Sequence, residues 1–168
     1  MRNIPDKRLT KNFMLYEFLE AKMPFEAIAM NWRHIQEGDI FGWELLALEL
    51  QKLRGLVNEN FKSDIGFDDI GIRITSGYRC KEWELLRGRS GESQHTKCAA
   101  DFQPTNCSRE LAVKILHWIY SNNWICSLYN EWWSGGLALK YPSKQGNILL
   151  IGFVHLDMRG TKVRWSYD

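Results

Sequence analysis

Apolar residues at Trp43, Leu46, Leu50, Leu53 and Val57 recur every three or four positions, the spacing that brings side chains onto one face of a helix. The pattern predicts a buried helix from Trp43 to Val57. A second helix is predicted to start near Ser108, whose hydroxyl can accept a first-turn amide, and to run through Leu111, Ile115 and Trp118 to the stop at Ser121, Asn122 and Asn123. Residues 10–20, TKNFMLYEFLE, read as a short helix entered from a Thr10 or Asn12 cap and anchored by Phe13 and Phe18. Between and after these come short β-rich runs at 72–75, 99–102, 124–129, 137–141, 153–158 and 163–165. Helices first and a largely antiparallel sheet later predict an α+β domain, a small antiparallel sheet with helices packed on it.

The run FVHLDMR carries more than a strand. Successive strand residues point to opposite faces, so Val154, Leu156 and Met158 are expected in the core, with His155, Asp157 and Arg159 on the other face. Upstream, ESQHTKCAADF holds His95 and Asp101 six positions apart, with Cys98 between them. Two imidazoles and a carboxylate, with a fourth position left for water, is the usual make-up of a hydrolytic zinc site. The residues alone leave three readings open: a metal site, a Cys98 nucleophile activated by His95, or an ordinary loop followed by a strand. His34 and His117 take no part, and His117 lies in the apolar helix LAVKILHWIY, where an interfacial histidine needs no further role.

Composition narrows the class. A chain of 168 residues with 45% hydrophobic content suits one domain around one core, and no repeat or linker divides it. A formal charge of +2, from 22 basic and 20 acidic residues, gives no field that calls for nucleic acid. No apolar run approaches the roughly 18 to 20 residues of a membrane helix, and MRNIPDKRLTKNF has no apolar signal segment. Cys80, Cys98, Cys107 and Cys126 form no CxxC pair, so reduced thiols are the first reading and a single disulfide the second. The expectation is a monomer without nucleic-acid or membrane partners.

Four segments in order resemble the zinc D-alanyl-D-alanine peptidases that share a fold with the hedgehog signalling domain, above all their phage and bacterial members. They are LTKNFMLYEF, ITSGYRC at 74–80, SQHTKCAADF at 93–102 and GFVHLDMRGTKVRW at 152–165. The resemblance implies the hedgehog/DD-peptidase fold and one zinc ion per chain, held by His95, Asp101 and His155. It makes Arg79 the partner of a substrate carboxylate or developing oxyanion, a task for which a forked, always charged guanidinium is suited. Ser93 and Gln94 become groups that orient the histidine, and Asp157 either the general base or a partner that holds His155. Glu131 is a further candidate base. Trp132 and Trp133 are candidates for lining a cleft.

Two departures from the family pattern stand out. The family carries one more residue between the first histidine and the aspartate, with glycine three after that histidine, where this chain has Cys98. Many relatives also place an acid or histidine three residues before the last ligand, and here that place is Gly152. The function implied is a zinc metallopeptidase, endolysin-like or carboxypeptidase-like, acting on peptidoglycan peptides. Its expected location is the cytoplasm of the producing cell before release, or a virion. A non-catalytic cell-wall-binding or virion structural member of the same fold, and a Cys98-dependent hydrolase, are the alternatives.

Overall fold

The computed structural model describes residues 5–65, 69–121, 135–145 and 148–167. The strand expected at 124–129, together with Cys126, Glu131, Trp132 and Trp133, lies outside the described residues. The architecture is α+β, as the residue patterns predict. Helices α1 (Leu15–Glu20), α2 (Phe25–His34) and α3 (Ile40–Ile65) precede strand β1 (Gly71–Ser76) and helix α4 (Lys81–Leu86). Strand β2 (Ala99–Thr105) and helix α5 (Arg109–Ser121) follow, then β3 (Gly136–Lys140), β4 (Ser143–Gln145), β5 (Ile148–Leu150), β6 (Phe153–Asp157) and β7 (Val163–Tyr167). The main sheet has the order β1-β2-β6-β3-β7, antiparallel except for the parallel β3–β7 pair, and β4 and β5 form a separate two-stranded ribbon.

The periodic helix is longer than expected, because α3 runs from Ile40 to Ile65 and buried Ile40 and Phe61 extend the stripe at its two ends. All five stripe residues are buried and join one core with Ile115, Leu116 and Ile119 of α5. Ser108 caps α5 by accepting the Leu111 amide at 3.1 Å. The first helix starts later than expected. Residues 8–14 fold back on themselves, with Leu9 and Thr10 amides bonded to the Phe13 carbonyl, so Thr10 and Asn12 belong to a turn rather than a cap. The Glu17 carboxylate instead accepts the Met14 amide at 2.7 Å, while Phe13 and Phe18 anchor the core as expected. Among the described residues no helix is long and apolar enough to cross a membrane, and Cys80, Cys98 and Cys107 are free thiols.

The sheet register positions the chemistry. A bulge in β1 between Ile74 and Ser76 brings Ser76 opposite Asp101. Asp101 pairs with His155, His155 with Ala138, and Ala138 with Trp165. Ser76, Asp101, His155, Ala138 and Trp165 therefore form one row across all five strands on one sheet face. Phe102, Val154 and Leu139 form the neighbouring row, turned into the core.

Candidate metal centre

Alternation in β6 assigns the faces correctly, and both faces are buried. Val154 and Leu156 enter the hydrophobic core, while His155 and Asp157 are 2% and 0% exposed on the other side. Asp101 on β2 reaches the same place because it pairs with His155. His95 arrives from a short 3-10 turn, Gln94–Thr96, that ends three residues before β2. This turn is how the six-residue spacing closes. Ser93 caps it by accepting the His95 amide at 3.2 Å, and no residue from His95 to Cys98 needs a left-handed backbone.

The three side chains converge. One ligand atom from each of His95, Asp101 and His155 lies within 4.8 Å of the others, and all three residues are buried. His155 Nδ1 is 2.7 Å and His95 Nε2 3.3 Å from the same Asp101 oxygen, and the two rings meet edge to face at 5.0 Å. The outer ring nitrogens are engaged elsewhere. His95 Nδ1 lies 2.7 Å from the Gly77 carbonyl oxygen, which can only accept, so that nitrogen carries a proton and Nε2 is the one turned to the cluster. His155 Nε2 lies 2.9 Å from Asp157, which turns Nδ1 inward in the same way. Burial alone would raise the Asp101 carboxyl, but hydrogen bonds from His155 and His95 outweigh it and bring its pKa to about 2. An ionised, buried oxygen between two inward-facing imidazole nitrogens is a donor set that fits a divalent metal.

Asp157 is held differently. Its Oδ1 accepts the Gly136 and Arg159 amides at 3.1 and 3.0 Å and Arg159 Nε at 2.9 Å, while Oδ2 faces His155 Nε2 and Arg159 Nη2, the latter at 2.5 Å. A carboxylate offers about four acceptor positions, and these contacts occupy them. Burial would raise its pKa, yet the bonds from Arg159 and His155 prevail and keep the carboxyl below its ordinary range. Gly136 makes the approach possible, since a Cβ there would run into Asp157 and Arg159.

Arg79 stands on the opposite side of the cluster. Its Nη1 bonds Ser76 Oγ at 3.3 Å, its Nη2 bonds Ser93 Oγ at 3.2 Å, and its Nε is 3.0 Å from Glu84 without a hydrogen-bonding angle, so that contact is ionic. Burial lowers its basicity, and the neighbouring Glu84 opposes that shift. The segment bearing it is fixed by Asn31, which is fully buried, donates to the Leu19 and Tyr78 carbonyls and accepts the Cys80 amide. Ser93 thus joins the arginine to the histidine turn, whereas Gln94 contributes only its carbonyl, to the Lys97 amide, among the described residues.

Cys98 lies apart from this group. A Cβ on Gly42 of α3 would sit 2.8 Å from its Sγ, and burial, aided by Asp39, pushes the thiol up to about 12. A catalytic cysteine needs the opposite shift. Gly152 has φ +80°, and a Cβ there would strike the Lys140 carbonyl oxygen, so the place where relatives carry an acid or histidine cannot hold a side chain in this backbone. His34 faces Glu82 on the surface at 2.9 Å and His117 packs on Tyr141, both away from the cluster. Glu84 and Arg159 escaped the reading of the sequence as site residues. Their signals were an acid on the helix that follows SGYR and a cation two after Asp157.

The sequence model of the peptidase M15 family matches residues 23–133. The chain belongs to the peptidase M15 family. The matched residues include Arg79, His95 and Asp101 and end before His155, so sheet pairing supplies the third member of the cluster. Membership in this D-alanyl-D-alanine carboxypeptidase family implies the hedgehog/DD-peptidase fold. No curated protein and no solved structure matches the chain significantly.

Proposed function

We propose that this M15 family member is a zinc-dependent peptidase that hydrolyses peptide bonds in peptidoglycan stem peptides or cross-links. The supporting observation is the convergence of His95 Nε2, Asp101 and His155 Nδ1, with the outer nitrogen of each histidine already engaged. A zinc ion held by these three residues would supply Lewis acidity at the scissile carbonyl. Arg79, fixed by Ser76, Ser93 and Glu84, binds the substrate carboxylate or the oxyanion that develops during hydrolysis. Of its two possible roles, Asp157 takes that of holding His155, because its lone pairs are occupied and its carboxyl stays ionised.

A specific observation favours a second reading, a metal-holding member that binds cell-wall peptides without cutting them. Asp157 is saturated and position 152 cannot carry a side chain, so neither offers a general base. One preparation separates the readings. Metal analysis should give close to one zinc per chain, and defined muropeptides should be cleaved in a chelator-sensitive manner, the products showing whether the enzyme is endolysin-like or carboxypeptidase-like. Zinc without any cleavage selects the binding member, and cleavage that survives chelation but not alkylation selects a cysteine hydrolase.

A further inference from the structure

Arg159 enters the reading of Asp157 only as an occupant of its lone pairs and Trp165 not at all, yet both lie against the groups of the site. Arg159 sits in the connection from β6 to β7 and grips Asp157 through Nε, Nη2 and its own backbone amide. Its guanidinium carbon lies 4.5 Å from the centroid of the Trp165 ring, within the range of a cation–π contact. The same indole is 5.3 Å from the His155 ring and two strands away in the same row of the sheet. The side chains form a closed circuit, from Trp165 to Arg159, Asp157, His155 and back to Trp165.

We propose that Arg159, steadied by Trp165, is a positioning residue for the metal centre, acting through Asp157 to fix the ring orientation and tautomer of His155. A neutral imidazole has one donor and one acceptor nitrogen, and the partner of the donor decides which nitrogen is left to bind a metal. Asp157 takes Nε2 and so assigns Nδ1 to the cluster. A carboxylate held at one oxygen can rotate about its own bond, whereas one gripped across both oxygens by a planar guanidinium cannot. The small residues Gly136 and Ala138 on the intervening strand leave room for this arrangement, since a Cβ at Gly136 would strike both Asp157 and Arg159. The circuit lies on the site face of the sheet, away from the core packed by Val154 and Leu156. Pairing the fully buried Asp157 serves the fold as well, so the test needs a readout of the metal beside melting.

This inference rests on the proposed metal-binding role of His95, Asp101 and His155, and the experiment separates the two. Zinc affinity is measured by competition with a chromophoric chelator for the wild-type chain, Arg159→Met, Arg159→Lys, Trp165→Leu, Asp157→Asn and the Arg159→Met/Asp157→Asn double variant. Melting of each metal-free protein and the visible spectrum of its cobalt form are recorded alongside. Losing a residue that orients a ligand lowers metal affinity by about 10- to 100-fold, so Arg159→Met should fall by at least about tenfold and show an altered cobalt spectrum. Lysine cannot grip both oxygens and should restore only part of the loss. Trp165→Leu should lie between wild type and Arg159→Met, which keeps the idea testable should Arg159→Met fail to fold. In the Asp157→Asn background Arg159→Met should add little, because it acts through that carboxylate. Wild-type affinity in Arg159→Met, or an undiminished further loss in the double variant, overturns the positioning role and leaves the metal site standing. A wild-type chain that takes up no zinc sinks the metal reading and this one together.

Discussion

The two faces of the β2–β6–β3 sheet both exclude water, but they do so by different means. On one face Ala100, Phe102, Val154, Leu156, Leu137 and Leu139 pack with residues of α3 and α5, and what matters there is apolar volume. On the other, Asp101, His155 and Asp157 are buried as well, and both His155 nitrogens, both Asp157 oxygens and Asp101 Oδ1 have named partners. Burial by volume tolerates an apolar exchange of similar size. Burial by pairing tolerates the loss of no partner, because an uncompensated polar group out of water is costly. One strand, β6, serves both faces by alternation, so adjacent residues should respond to the same truncation in opposite ways.

His155→Ala and Leu156→Ala are the sharpest test of that difference. The first should abolish zinc binding and hydrolysis while far-ultraviolet dichroism shows the fold retained, since one of the three proposed ligands is gone. The second should reduce unfolding free energy by about 2–5 kcal/mol, while the folded fraction keeps its zinc. His117→Ala, away from the cluster, should match wild type in zinc content. Comparable zinc loss in Leu156→Ala and His155→Ala would erase the distinction between the faces.

Next in size is Arg79→Lys. A lysine would retain the charge next to Glu84 but could not bridge Ser76 and Ser93 while presenting a fork to substrate. The expected outcome is retained zinc with hydrolysis reduced about a hundredfold, which corresponds to about 2.7 kcal/mol at the transition state. Steady-state kinetics on a defined muropeptide would read this directly, and wild-type turnover would make Arg79 a purely structural partner of Glu84.

How much of this was legible follows from the same contrast between volume and pairing. Helices α3 and α5 were readable because their buried positions are apolar and periodic. Helix α4 was not, since its one buried residue is Glu84 while Leu85 and Leu86 are 53% and 67% exposed, an inversion of the amphipathic rule. In α2 the buried Asn31 interrupts the apolar face, for reasons found in distant partners at Leu19, Tyr78 and Cys80. At the site, His95, Asp101 and His155 stood out through the resemblance of their motifs to a known family, with strand parity speaking only for the face shared by His155 and Asp157. The saturation of Asp157 did not, because it depends on Gly136, which lies 21 positions earlier in the sequence.

The shortened His95–Asp101 segment gives a smaller effect. Read from the sequence, the missing residue looks like a defect that an added glycine would repair. In the structure the six-residue path closes through the Gln94–Thr96 turn, without a positive φ, and the Cys98 carbonyl accepts the Met158 amide at 3.1 Å. Inserting one glycine between Lys97 and Cys98 should therefore lower zinc affinity, by about tenfold if roughly 1.4 kcal/mol of positioning is lost. Tighter binding after the insertion would show that the present turn is strained.

The smallest effect is set at alkaline pH by two groups beneath the His95 turn. Burial is the leading cause that lifts the Cys98 thiol from 9.0 to about 12 and the Tyr78 phenol from 10.0 to about 12, and Asp39 adds to both shifts. Both folded values lie above the unfolded ones, so the fold favours the neutral, protonated forms. Their contribution is fully present below about pH 9, begins to fade once the unfolded thiol ionises, and is lost as pH rises through about 12. Melting temperature of the metal-free chain should accordingly fall from pH 9 upward, and fall less in Cys98→Ala once that variant's own loss of packing is referenced at pH 7. The same neutral thiol should react slowly with iodoacetamide at pH 8, and alkylation should leave muropeptide cleavage unchanged. Rapid, inactivating modification of Cys98 would instead mean that this side of the turn is open and chemically active, and that pairing at His95, Asp101 and His155 is not where the reaction occurs.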